Sequence, residues 1–236
     1  MAEDWMTTEE AGELLGVTRP MVRKLLKDGT LLPAGTAGRA LLVDRASVLR
    51  HSNRRKLSGR SWNAETAWAA LDLITGGTPR WIDATARFRL KKRLMTMAPT
   101  ELAAAVSTKD EVKRYRLAPA GVVRAADYVL PTGTTALKNG ELAERFGLAE
   151  VRTDVLEGYL DKNTAPLIVD GLSLVEDPKG KVVLRIVGEK HNLKTPRTPD
   201  VVVAVDLMES SNSRERAAGE HMLARILEQW KAGRNV

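Results

Sequence analysis

From Thr8 to Leu15 the apolar residues fall at positions 11, 14 and 15, the i, i+3, i+4 spacing of one helix face. A second run of this kind spans about Arg19 to Asp28, with Val22, Leu25 and Leu26 on one side and Arg19, Arg23, Lys24 and Lys27 on the other. Only "GVT" separates the two. The runs "LLPAG" and "RALLVD", joined by "TAG", then predict a small β-hairpin, and "RASVLRHSNR" predicts a third helix with Val48 and Leu49 turned inward. Beyond Ser61 the pattern predicts helices at "AETAWAALDLI", "ATARFRLKKRLMTM" (84–97), "ELAAAV" and "PAGVVRAADYVL", a strand at "EVKRYRL", and a turn plus helix within 132–150. "LSLVED" and "KVVLRIVG", joined by "PKG", predict a second hairpin. "VVVAVDLM" (201–208) is a continuous β-branched run and predicts a strand buried on both faces. "SRERAAGEHMLARILEQWKAG" closes the pattern as a long amphipathic helix.

Local stop and start signals sharpen the first quarter. Thr7 with Glu10 three residues on is a capping box, in which hydroxyl and carboxylate satisfy the orphan N–H groups of a helix start. Gly16 ends that helix, Thr18 offers the next N-cap, and Pro20 is harmless because first-turn N–H groups have no helical partner. Gly29 stops the second helix as a left-handed cap, and Asp44 caps the third. Two short helices across so tight a turn form a helix-turn-helix, with the hairpin as its wing and Arg39 near the wing tip. Strands mixed with helices, without regular βαβ alternation, make the larger remainder a mixed α+β domain. The expected organisation is a winged helix-turn-helix at 1–52, a basic linker at 53–63, and an α+β effector or interaction domain at 64–236.

Charge changes this picture more than composition does. At 43% hydrophobic and 28% charged, the chain of 236 residues has the make-up of a folded globular protein. Its net charge of +7 is distributed unevenly: residues 1–18 hold five acids and no base, residues 19–60 hold eleven bases against two acids, and residues 61–236 come to +3. A basic block of this kind calls for an anionic partner. No window is apolar enough to cross a bilayer and the acidic start is unlike a signal peptide, so the expected location is the cytoplasm, at the nucleoid, with no membrane partner. The absence of cysteine excludes disulfides, thiolate metal sites and cysteine nucleophiles.

The stretch "MTTEEAGELLGVTRPMVRKLLKDGTLLPAGTAGRALLVDRASVLRHS", about residues 5–52, resembles the excisionase-type, MerR-like winged helix-turn-helix family. Shared features are the Thr-capped first helix, the "GVT" turn, the basic second helix ending in glycine, and a wing leading into a short helix. The wing departs from the family pattern in carrying Arg39 as its one basic residue. The resemblance implies double-stranded DNA as partner, with helix 19–28 in the major groove. Arg19 and Arg23, four apart, project side by side, and each could pair with a guanine for roughly 1–3 kcal/mol of discrimination or clamp a phosphate. Thr18 would touch phosphate, Met21 a thymine methyl, and Lys24 and Lys27 the backbone. Arg54, Arg55 and Lys56 would add nonspecific phosphate contacts. One module buries too little surface to select a genomic site, so a homodimer or a multi-site assembly is expected.

For catalysis the sequence offers little. GxxxxGK[ST], GxGxxG, GxSxG and HExxH are all absent, and His51, His191 and His221 stand far apart without a motif. Asp206 and Glu209 could in principle hold a metal, but read more simply as capping and surface charges. Glu189 and Lys190 are adjacent, so they would leave a strand on opposite faces and cannot form a Glu-x-Lys nuclease pair. No catalytic residue, metal site or cofactor is therefore expected, and the protein is read as a regulator and not an enzyme. The order of elements from "RLKKRL" to "VVVAVDLMES" is similar to C-terminal regions of AbiEi-type antitoxins, which implies an autorepressor with a cognate toxin as a second partner. A phage or plasmid excisionase-like protein binding repeated sites, and a DNA-targeted enzyme with an unrecognised C-terminal site, are the alternatives.

Overall fold

The capping box forms as expected. Thr7 Oγ1 accepts from the Glu10 amide at 3.2 Å, and the Glu10 carboxylate accepts from the Thr7 amide at 2.7 Å, so the strand β1 (Trp5–Thr7) passes directly into α1 (Thr8–Leu15). Gly16 adopts φ 62°, a left-handed geometry that costs glycine little, and its N–H bonds back to the Glu13 carbonyl at 3.1 Å. Thr18 is the N-cap residue of α2 (Arg19–Lys27), although its hydroxyl makes no capping bond. The hairpin β2 (Pro33–Ala37) and β3 (Ala40–Asp44) follows, and Asp44 then caps α3 (Arg45–Lys56) through the Ser47 amide at 2.6 Å. Strand β1, which the periodicity did not predict, joins the hairpin in the antiparallel order β1-β3-β2 with Trp5 opposite Asp44. Met6, Ala11, Leu15, Val22, Leu31, Val43 and Val48 form the core.

This computed structural model describes residues 5–38, 40–56, 61–188 and 195–233, without the side chains of 46, 50 and 53–56. The chain divides into two compact units, residues 1–57 and 58–236. Helix α3 continues through Lys56, four residues into the segment expected as linker; Arg39 lies outside the described residues.

The second unit is an α+β domain. Helices α4 (Ala64–Ile74), α5 (Ala84–Thr96) and α6 (Pro99–Ala105) precede β4 (Glu111–Arg116). Next come α7 (Pro119–Ala126), β5 (Leu130–Pro131), α8 (Gly133–Ala136) and α9 (Gly140–Arg145). Strand β6 (Leu156–Asp161), α10 (Thr164–Gly171), β7 (Val175–Glu176) and β8 (Val182–Val187) complete the sheet, and α11 (Asp200–Met208) and α12 (Ser213–Ala232) end the unit. The sheet order is β5-β6-β8-β4-β7, with β6 parallel to β8 and the other pairs antiparallel.

Two expectations fail here. Strands β7 and β8 do not pair with each other; the "PKG" turn forms, with the Gly180 amide donating to Asp177 O at 2.8 Å, but β4 lies between the two strands. "VVVAVDLM" is helix α11, not a strand, and every residue from Val201 to Met208 is buried. The helix predicted at "ELAAAV" forms as α6 but starts two residues earlier, at Pro99, with Ala98 in the N-cap position.

Alternation along the strands sorts the sheet into two faces. Tyr115, Leu156, Leu160, Val182 and Leu184 pack with Ala125, Val129, Ala165 and Leu174 as the apolar face. The other face carries Glu157, Tyr159 and Arg185, which meet Asp206 on α11. Helix α12 packs closely on α11 because Gly219 has no side chain; a Cβ there would stand 2.6 Å from the Ala204 carbonyl oxygen. Trp68 in α4 sets its ring edge-on to Tyr159 at 5.6 Å and donates its indole N–H to Lys109 O at 2.8 Å.

Candidate nucleic-acid interface

Helix α2 separates its chemistry by face. Val22 is fully buried, Leu25 and Leu26 are half-buried against the same core, and Thr18, Arg19, Met21, Arg23, Lys24 and Lys27 are all exposed. Arg19, Arg23 and Lys27 follow one another at i, i+4, so they form a continuous basic stripe with Lys24 beside it. Met21, 43% exposed, is the one large apolar side chain on this outer surface. Lys24 and Lys27 also lie in the last turn, where positive charge complements the helix dipole.

Arg19 is not free in this arrangement. Its guanidinium pairs with the carboxylate of Glu9 on α1, across the turn. No periodicity argument predicted this partner, because the acidic run and the basic run belong to different helices. The β2–β3 wing is exposed along most of β2, while Arg39 is outside the described residues. Arg54, Arg55 and Lys56 fall on the last turn of α3, and their side chains are likewise outside.

The second unit holds a cluster that the sequence did not reveal. Asp206, expected as a surface charge, is 3% exposed and Glu209 is 6% exposed. Lys109 Nζ lies 2.7 Å from Asp206 Oδ1 and 3.9 Å from Asp110 Oδ1. The Arg185 guanidinium lies 2.7 Å from Glu157, 2.9 Å from Asp110, 3.3 Å from Glu209 and 3.6 Å from Asp206. Thr132 Oγ1 and the Tyr159 hydroxyl both donate to Asp206 Oδ2, at 2.5 and 2.8 Å.

Two cations thus face four carboxylates. Burial works against charge on Arg185 and Lys109, yet the surrounding carboxylates outweigh it and hold both protonated. Burial pushes the Glu157 carboxyl above its ordinary value; Asp206 adds to the rise and Arg185 opposes it. The Tyr159 hydroxyl is raised well above its usual range by burial and by the Asp206 charge, so it keeps its proton and donates it to Asp206 in a hydrogen bond. Among the described residues no group of three or more acidic or histidine side chains is arranged to hold a metal ion. The cluster ties the turn just before β4, together with β6 and β8, to α11 by charge pairing.

Residues 5–56 match the family described as Helix-turn-helix domain, a span that runs from β1 through α3. No curated protein and no solved structure matches the chain. The first unit therefore carries a helix-turn-helix DNA-binding domain, and double-stranded DNA is the partner that such a domain supports. No described helix is long and apolar enough to cross a membrane.

Proposed function

With residues 5–56 as a helix-turn-helix domain for premise, we propose that the protein is a sequence-specific transcriptional regulator that lays α2 in the major groove of double-stranded DNA. The observation that carries this reading is the exposed basic stripe Arg19, Arg23 and Lys27 on a helix whose opposite face is fixed in the core by Val22. Arg23 reads bases, as does Arg19 once DNA displaces Glu9 from its guanidinium, whereas Lys24 and Lys27 hold phosphates.

Binding of the protein to its own promoter region, followed by fluorescence anisotropy over a salt series, tests this reading. Arg23→Ala should relax base preference and cost about 1–3 kcal/mol on the preferred site, whereas Lys27→Ala should weaken all sequences alike and lower the salt slope by about 1. Unchanged affinity in both variants overturns the assignment of α2.

The finer role we propose is that of an antitoxin-like autorepressor, with residues 64–236 serving a cognate toxin. Its support is the sequence resemblance of the stretch from "RLKKRL" to "VVVAVDLMES" alone. A promoter–reporter fusion repressed by the protein, together with rescue of cells from the product of the adjacent reading frame, tests both halves. Footprinting separates this from an excisionase-like architecture, which would show a bent array of repeated sites.

A further inference from the structure

Charge in the second unit is concentrated in one helix. Residues 79–97 hold six basic side chains against one acidic, +5, whereas the rest of residues 61–236 holds twenty bases and twenty-two acids, −2. Helix α5 itself contains five bases and no acid. Its inner face is fixed by Leu90 and Leu94, both buried, so its outer face is defined by what remains. Thr85, Phe88, Arg89, Lys92 and Thr96 follow one another there at spacings of three and four, and all are exposed.

Two details distinguish this face from an ordinary solvated one. Solvated helices usually interleave acids with bases, and here, among the described residues, neither Arg89 nor Lys92 has an ion-pair partner. Phe88 beside them is 68% exposed, although the same helix keeps its leucines inside. Arg93 is already committed, its guanidinium standing 5.0 Å over the Trp62 ring, which leaves Arg89 and Lys92 as the outward cations.

We infer that the α5 face is a second, sequence-independent contact for the DNA duplex, with Arg89 and Lys92 on phosphates and Phe88 against the sugar edges. The inference rests on the reading of the first unit as DNA-binding. That reading also supplies the reason to prefer a duplex over an acidic protein. Once one unit of the chain holds DNA, the other meets the same polyanion at an effective concentration near the millimolar range, where two cations and one apolar side chain suffice. Such a contact adds affinity and salt dependence without adding sequence choice.

The experiment uses the full chain and a 40-base-pair duplex of arbitrary sequence, with affinity measured by anisotropy from 50 to 300 mM KCl. Removing two phosphate contacts in R89Q/K92Q should flatten the slope of log K against log salt by about 1.8 and weaken binding on the order of 60-fold at 0.1 M salt. F88A should weaken binding several-fold with the slope unchanged. R152Q/K179Q removes two exposed cations elsewhere in the same unit and should leave the slope as it was. Thermal melts that match the parent show that the variants fold. Equal flattening by R152Q/K179Q overturns the proposal in favour of general charge. An unchanged slope in R89Q/K92Q, with binding lost in R23A/K27A, overturns it while leaving the first unit as the DNA reader. Unchanged binding in every variant removes both readings together.

Discussion

Arg185→Met tests whether the buried cluster is held by charge or by packing. Arg185 is 4% exposed, and methionine fills most of its length without a guanidinium, so the perturbation is mainly electrostatic. Lys109 remains 2.7 Å from Asp206, but Asp110, Glu157 and Glu209 lose the cation they share. Removing one partner from a buried ion pair costs about 3–5 kcal/mol. The cluster can instead bind a proton, and raising a carboxyl from about 4 to 7 costs roughly 4 kcal/mol at 1.36 kcal/mol per unit. Both routes give ~4 kcal/mol at pH 7, a large share of the ~5–15 kcal/mol that holds a typical domain. Near pH 5 the proton route costs only about 1.4 kcal/mol, so the loss should shrink there. Urea unfolding read by tryptophan fluorescence suits the measurement, since four of the five tryptophans lie in the second unit and Trp68 bonds to Lys109 O. A loss under ~1 kcal/mol at pH 7, or one equal at both pH values, refutes the electrostatic account.

Glu157→Gln should flatten the pH dependence of stability. The folded state holds the Glu157 proton more tightly than the unfolded chain, so stability falls as pH rises above the ordinary glutamate value, and glutamine keeps an acceptor for Arg185 Nε without titrating. Thermal midpoints between pH 4 and 7 read this, and a slope unchanged from the parent contradicts it. Gly219→Leu should force α11 and α12 apart, because the added Cβ meets the Ala204 carbonyl oxygen at 2.6 Å and Leu207 Cβ at 3.0 Å. The expected loss is roughly 3 kcal/mol, at the upper end for overpacking, and a melting temperature equal to the parent's would show that the crossing is not tight.

The first unit was legible because its signals are local. Thr7 with Glu10, Gly16, Gly29 and Asp44 each act within four residues, and each takes up the expected backbone position. Strand β1 escaped notice because three residues show no period and its partner lies almost forty residues away in β3. In the second unit the misreadings share a cause. "VVVAVDLM" is apolar on every side, which suits a buried strand and a buried helix alike; packing by α12 and the sheet decides for the helix. The "PKG" turn is real, but β4 takes the position beside β8 that a hairpin would have filled. Asp206 read as a surface charge because its partner Lys109 lies 97 residues away. On α2 the exposed stripe was readable from spacing, whereas the Glu9 carboxylate that holds Arg19 was not.

The order β5-β6-β8-β4-β7 also fixes a timetable. The central strand β8 is the last of the sheet to be synthesised, and the chain reaches it only after passing through the far edge at β7. Until residues 182–187 emerge, β4 and β6 have no common neighbour, so the two halves of the sheet wait as separate, sticky edges. Closing the β4–β8 pair spans about seventy residues, a slow step on topological grounds. The second unit therefore assembles late and in one event, with the Arg185 pairs arriving on the same strand that joins the halves. During that interval the unpaired edges of β4 and β6 are open to pairing with another copy.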